Sequence, residues 1–105
     1  MAWTILVAGG LFEVVWAVGL KQAAGRAAPL ALTFAAMALS IGCLAVALRT
    51  LPVGTAYAVW TGIGAAGTAV YGMAVLGEPR DLVRLSCIGL IVAASVGLKL
   101  FSPHP

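Results

Sequence analysis

Charge is scarce in this chain. Of 105 residues, six are Lys or Arg, three Asp or Glu and one His, so 9% are charged, against about a quarter in a soluble globular domain. The basic residues stand singly and no run of them exists, which argues against nucleic acid despite a formal net charge of +3. Cysteine is equally sparse. Cys43 and Cys87 both lie inside apolar stretches with no CxxC or Cys/His spacing, so they read as buried free thiols rather than metal ligands. The single histidine, His104, belongs to the C-terminal tail and reads as solvated. Nucleophile–base pairs, metal-ligand clusters and phosphate loops are all missing, and with them the grounds for reading an enzyme.

What fills the space is hydrophobic: 63% of the residues, with a mean hydropathy of +1.12. A helix crosses a hydrocarbon core of about 30 Å with roughly 20 apolar residues. The chain is long enough for about four such crossings joined by short turns. The class expected is therefore an all-α membrane protein of four transmembrane helices, near residues 3–20, 29–48, 53–76 and 82–101, forming one membrane domain over residues 1–105. The first stretch lacks a basic leader, contains an acid and is too long for a signal-peptide core, so it is read as a retained helix.

Within that first stretch stands one carboxylate, Glu13. An ionised acid in hydrocarbon costs several kcal/mol or more unless it is protonated, paired or hydrated. No other residue of the apolar run can pair with it, which makes it a functional candidate. Offsets of three and four place Gly9, Gly10, Trp16, Ala17 and Leu20 on its face. The glycines open room for a ligand or another backbone and Trp16 supplies an aromatic wall; plain helix packing is the alternative.

Lys21 to Ala28, with Gly25 and Arg26, forms a short polar connection, and Pro29 suits the first turn of the second helix. Ser40 is the central hydroxyl of that helix. Serine in a membrane helix often bonds its own backbone, but with an acid opposite it is expected to hydrogen-bond Glu13. Arg49 to Pro52 make a tight turn. The third helix holds GTAYAVWTGIGAAG, Gly54 to Gly67, with Tyr57, Trp60, Thr61 and Gly64 on one face. Gly62 and Gly64 favour a hinge there, beside the aromatics; a glycine packing face is the alternative. Gly77 to Asp81 read as an ordinary solvated loop in which Arg80 and Arg84 neutralise Glu78 and Asp81. In the fourth helix Gly89, Ala93 and Gly97 repeat every four residues, the pattern of a close helix–helix contact. With no central polar group beyond Ser86 and Ser95, that helix reads as an oligomer contact, and Lys99 as snorkelling to the interface.

Orientation is weakly specified. With four crossings, one side receives Lys21, Arg26, Arg80 and Arg84 and the other Arg49 and Lys99. Positive-inside counting puts both termini outside, and so small a bias equally permits insertion both ways. Alternating access commonly rests on two repeats of opposite orientation. This chain has no internal repeat, so a second, inverted copy is the expected complement.

The stretches GGLFEVVWAVGLK (Gly9 to Lys21), LPVGTAYAVWTGIGA (Leu51 to Ala65) and GLKL (Gly97 to Leu100) resemble the small multidrug resistance family over essentially the whole chain, and most closely its guanidinium-exporter branch. The multidrug branch looks different near the acid, without Trp16 and with serine in place of Thr61. The resemblance implies a proton-coupled antiporter acting as an antiparallel, dual-topology homodimer in the cell (inner) membrane. It implies that Glu13 binds substrate and protons in turn, that Ser40 hydrogen-bonds it, and that Tyr57 and Trp60 line the site. Helix four becomes the dimerisation helix. Protons serve as coupling ion and no other cofactor is implied. Two departures stand out: the segment from Gly25 to Ser40 is about two residues short, and Tyr71 replaces a smaller residue.

The chemistry fits guanidinium, a planar permanent cation whose forked donors match a carboxylate. Export of quaternary ammonium, held by cation–π contact with Trp16, Tyr57 and Trp60, is the rival within transport. A non-transporting membrane subunit that pairs Glu13 with another protein is the rival outside it.

Overall fold

Four helices account for nearly all of the chain in a computed structural model, which describes residues 1–23 and 27–101. They are α1 (Ala2–Ala23), α2 (Ala27–Ala47), α3 (Val53–Val75) and α4 (Leu82–Leu100). All four are long and apolar enough to cross a membrane, where a helix is favoured because it satisfies its own backbone groups. The expected connection at Gly25 and Arg26 and the tail histidine His104 lie outside the described residues. Helix α2 begins two residues before Pro29. The proline thus falls among the first four positions, whose N–H groups have no acceptor within the helix.

Helices α1, α2 and α3 pack together, while the α4 backbone lies along α3 alone. Glycines set the spacing. A side chain at Gly9 would meet Cys43 Cβ at 2.9 Å and the Ser40 carbonyl at 3.1 Å, and one at Gly19 would overlap the Thr33 hydroxyl, so α1 and α2 approach closely at two levels. At Gly10 it would lie 2.7 Å from Ile63 Cγ2, and at Gly67 2.6 Å from Val14 Cγ2, which brings α1 and α3 together the same way. Without an apolar driving force between helices in lipid, such backbone proximity and its dispersion contacts are what association rests on.

The tight core sits at one end: Leu6, Leu44, Ala47, Leu51, Ala56, Val59 and Trp60 are buried against each other. The Arg49 turn closes this end, with Thr50 and Leu51 N–H both donating to the Ala47 carbonyl at 3.2 and 3.0 Å. Outward residues such as Leu11, Val15, Leu32, Phe34 and Leu39 are exposed, as a lipid-facing surface requires. The other end of the α1–α3 seam is open.

Helix α4 is unlike the rest, since none of its residues is buried. Gly89 and Gly97 have nothing within 4 Å of a would-be Cβ, so the small-residue face is unpartnered within the chain. Cys87 is exposed there. The expectation of a buried thiol fails at this position because no helix covers this side of α4. Lys99 reaches across to α1, its Nζ 5.4 Å from the Trp3 ring centroid. The whole is a slab with extents of 42 × 35 × 17 Å. One helix with its side chains is about 10–12 Å across, so the slab is less than two helix diameters thick.

Candidate functional site

Glu13 lies on α1 where it faces α3, and its carboxylate rests on Gly64: a methyl at that glycine would overlap Oε1 and Cδ of the acid. Oε1 is buried and has no hydrogen-bond partner. Among the described residues the one ion pair is Arg84–Glu78, so no basic group neutralises Glu13. The acid lines a cavity of about 410 Å³ together with Ala17, Val18 and Lys21 of α1 and Thr61, Gly64, Ala65, Thr68, Ala69 and Gly72 of α3. Thr61 Oγ1 is also buried without a partner. Both residues border this one cavity, and a buried polar atom left without a partner costs about 1–3 kcal/mol. A ligand with several N–H donors would satisfy both oxygens once the two side chains turn toward it.

Ser40 does something other than expected. It is fully buried on α2, and its hydroxyl donates to the Gly9 carbonyl at 2.7 Å and accepts from Trp60 Nε1 at 3.1 Å. A hydroxyl has one proton, and here it goes to α1 backbone rather than to the Glu13 carboxylate. In a regular helix the carbonyl of residue 9 also takes the N–H of residue 13. Ser40 therefore holds the turn of helix that carries the acid, and Trp60 ties this clasp to α3.

The other expected site residues divide. Gly9 and Gly10 are buried and their space is filled by α2, Trp60 and Ile63, so they serve the helix-packing alternative and open no room beside the acid. Trp60 is 8% exposed and packs in the core. Tyr57 is 55% exposed, stacks at 5.7 Å and 38° on Trp60, and borders a separate groove of about 380 Å³ between α3 and α4. The Trp16 indole N–H is buried without a partner, and its ring is not in the cavity wall. Gly62 and Gly64 lie within one uninterrupted helix. Each has a packing reason: Gly62 admits Ser95 of α4, and Gly64 admits Glu13.

Thr61 and Thr68 are legible as polar positions on the stripe that continues through Gly64 and Gly72, offset by threes and fours, but nothing local marks them as facing the acid. The loop after α3 and the first turn of α4 have the sequence of plain solvated surface, yet Glu78 and Arg84 stand in the cavity wall. Gly77, at φ +74°, turns the chain back so that the Glu78 N–H reaches the Gly72 carbonyl at 3.1 Å, as glycine does in helix-terminating turns. Asp81 caps α4 by accepting from the Arg84 N–H at 2.8 Å, and Arg80 donates to the Met73 carbonyl at 2.9 and 3.2 Å. Of the expected neutralising pairs, Glu78–Arg84 forms, while Asp81 and Arg80 each serve a helix end.

A half-buried acid in a four-helix membrane chain narrows the choice of family, and sequence comparison decides it. The profile of the Small Multidrug Resistance protein family matches residues 1–101. The chain belongs to the small multidrug resistance family. Curated members similar to it are named guanidinium exporters. That of Yersinia pseudotuberculosis is 56% identical over 104 residues, covering 97% of this chain and 100% of the relative. Those of Citrobacter freundii and Klebsiella oxytoca are each 57% identical over 102 residues, covering 95% and 97%. Membership and the four apolar helices make this a multi-pass membrane protein, in bacteria of the inner membrane.

Proposed function

We propose that this protein exports guanidinium or a substituted guanidinium in exchange for protons, working as an antiparallel homodimer by alternating access. The observation that carries the reading is the Glu13 carboxylate: seated on Gly64 at a cavity, with Oε1 buried and without a hydrogen bond, and with no counter-ion among the described residues. A guanidinium cation brings both a charge and a fork of donors to such a group, and the relatives' name points the same way. When the cation leaves, a proton is the smallest species that can neutralise the acid. Protons and cation then compete for the same carboxylates, and a proton gradient drives the cation out.

The thin slab and the uncovered face of α4 support the dimer. An inverted second copy meeting Gly89, Ala93 and Gly97 would complete the chamber and bring two Glu13 side chains to it. Ser40 and Trp60 act on the acid through the α1 backbone. Guanidinium is favoured over quaternary ammonium because the residues lining the Glu13 cavity include no aromatic wall of the kind the latter needs: Trp60 packs in the core and Tyr57 borders another groove. No chemical conversion is involved.

The test is exchange in proteoliposomes. Purified protein alone is expected to take up guanidinium when protons are more concentrated inside the vesicles, and Glu13→Gln to abolish it. Exchange that survives Glu13→Gln, or is missing from the parent protein, refutes this function.

A further inference from the structure

The Glu13 cavity has a second acid at its other end. Glu78 belongs to the loop after α3, but its carboxylate folds back on Gly72, where a methyl would overlap Oε1 and lie 2.7 Å from Cδ. Glu13 sits in the same way on Gly64. The two glycines are eight residues apart on α3, about 12 Å along the axis at 1.5 Å per residue, and Thr68 lies between them in the same cavity wall. One acid is thus deep in the cavity and the other at its mouth.

The outer acid is already paired with a guanidinium, that of Arg84. The contact is poor: Nη1 is 3.9 Å from Oε1, and the two side chains are 43% and 39% exposed. A strong Arg–carboxylate pair is bidentate at about 2.7–2.9 Å, and an exposed pair in this looser geometry contributes little. The other groups of the loop are engaged elsewhere, Arg80 on the Met73 carbonyl and Asp81 on the α4 N-terminus. Glu78 is therefore the one loop acid facing the cavity, and its partner is held loosely enough to be displaced.

Resting on the function proposed above, we infer that Glu78 is an outer station for the cation, where an incoming guanidinium displaces the side chain of Arg84 before passing to Glu13. Arg84 is a tethered copy of the substrate's own charged group and competes with it. In an inverted pair of chains each face of the membrane would carry one such station, so loading and release would use the same chemistry. A carboxylate at the mouth raises the local concentration of cations and their capture rate, an effect that salt screens.

Initial rates of guanidinium uptake into proteoliposomes test this. Glu78→Gln is expected to raise KM roughly fivefold with kcat falling less than twofold, the effect shrinking at high salt. Arg84→Gln frees the outer acid and is expected to lower KM. Opposite signs are the signature of competition. A pair that only braces the loop would shift both variants in one direction, and that result, or no change in KM for either, overturns the inference. Equilibrium guanidinium binding in detergent reports that each variant is folded with Glu13 intact. Should Glu78→Gln fail to fold, Arg84→Gln decides alone, a raised or unchanged KM counting against. Glu13→Gln in the same assay separates the two readings: if it still transports, the parent function fails, whereas if it is dead and neither Glu78→Gln nor Arg84→Gln changes KM, only the outer station fails.

Discussion

Replacing Gly64 by alanine tests whether the seat of Glu13 is functional rather than structural. The added methyl would overlap Oε1 and Cδ of Glu13 and stand 2.8 Å from Cγ, and these are its three nearest neighbours. Carbon atoms settle at about 3.5–4.0 Å, so the carboxylate must retreat by about 1 Å or more. It stands at the end of a flexible side chain with no hydrogen bond to Oε1 to break. Alanine also improves helix propensity by up to about 1 kcal/mol, so the protein is expected to stay folded, with a Tm in detergent equal to or above the parent's. Guanidinium binding should suffer instead. Losing a charge-assisted hydrogen bond of about 1.5–3 kcal/mol weakens affinity roughly 10- to 150-fold. Gly10→Ala is the contrast, because there the methyl meets Cβ of Ile63 at 2.8 Å, close to backbone, where overpacking costs about 1–3 kcal/mol. Isothermal titration with guanidinium and thermal unfolding followed by tryptophan fluorescence measure both quantities. Binding by Gly64→Ala within twofold of the parent, or a loss of stability as large as that of Gly10→Ala, would refute a functional seat.

Three further outcomes follow from the geometry. Ser40→Ala removes a fully buried hydroxyl and leaves the Trp60 N–H without its acceptor, so a loss of about 1–3 kcal/mol is expected in thermal unfolding; an unchanged Tm would mean that the clasp is not formed. Thr61→Val exchanges an unpartnered buried hydroxyl for a methyl. It should leave stability unchanged or raised while weakening guanidinium binding several-fold, and equal affinity in titration would remove Thr61 from the site. Gly97→Leu adds bulk where the chain has no neighbour within 4 Å. Helicity by circular dichroism should hold while chemical cross-linking of the proposed dimer falls, and undiminished cross-linking would place the α4 contact elsewhere.

The membrane class, the spans and the candidacy of Glu13 are all legible in the amino-acid sequence, because each rests on a transfer property. Long apolar runs cannot remain in water, and a lone acid cannot enter lipid without consequence, whatever the neighbouring helices do. The motifs around Glu13 and Trp60 carry the family for the same local reason: they are contiguous. Expectations about contacts fare differently. Ser40 and Glu13 pair on chemistry, but the hydroxyl lies at the level of Gly9, one turn away, and bonds there. Gly9 and Gly10 share the acid's helix face in projection, yet α2 and α3 fill the space beside them.

What the sequence determined by itself, then, is that four apolar segments cross a bilayer and that one carries a charge with no partner in its own segment. Which atoms meet that charge only the tertiary structure decided. A helix that is apolar on every side has no amphipathic stripe to set its rotation, so sequence periodicity cannot say which face turns inward. Rotation and register come from where glycines let backbones close up, at Gly9 and Gly19 against α2 and at Gly10, Gly64 and Gly67 between α1 and α3. That packing put Glu13 on Gly64 beside Thr61. The left-handed turn at Gly77 brought Glu78 and Arg84, remote in sequence from the acid, to the mouth of its cavity.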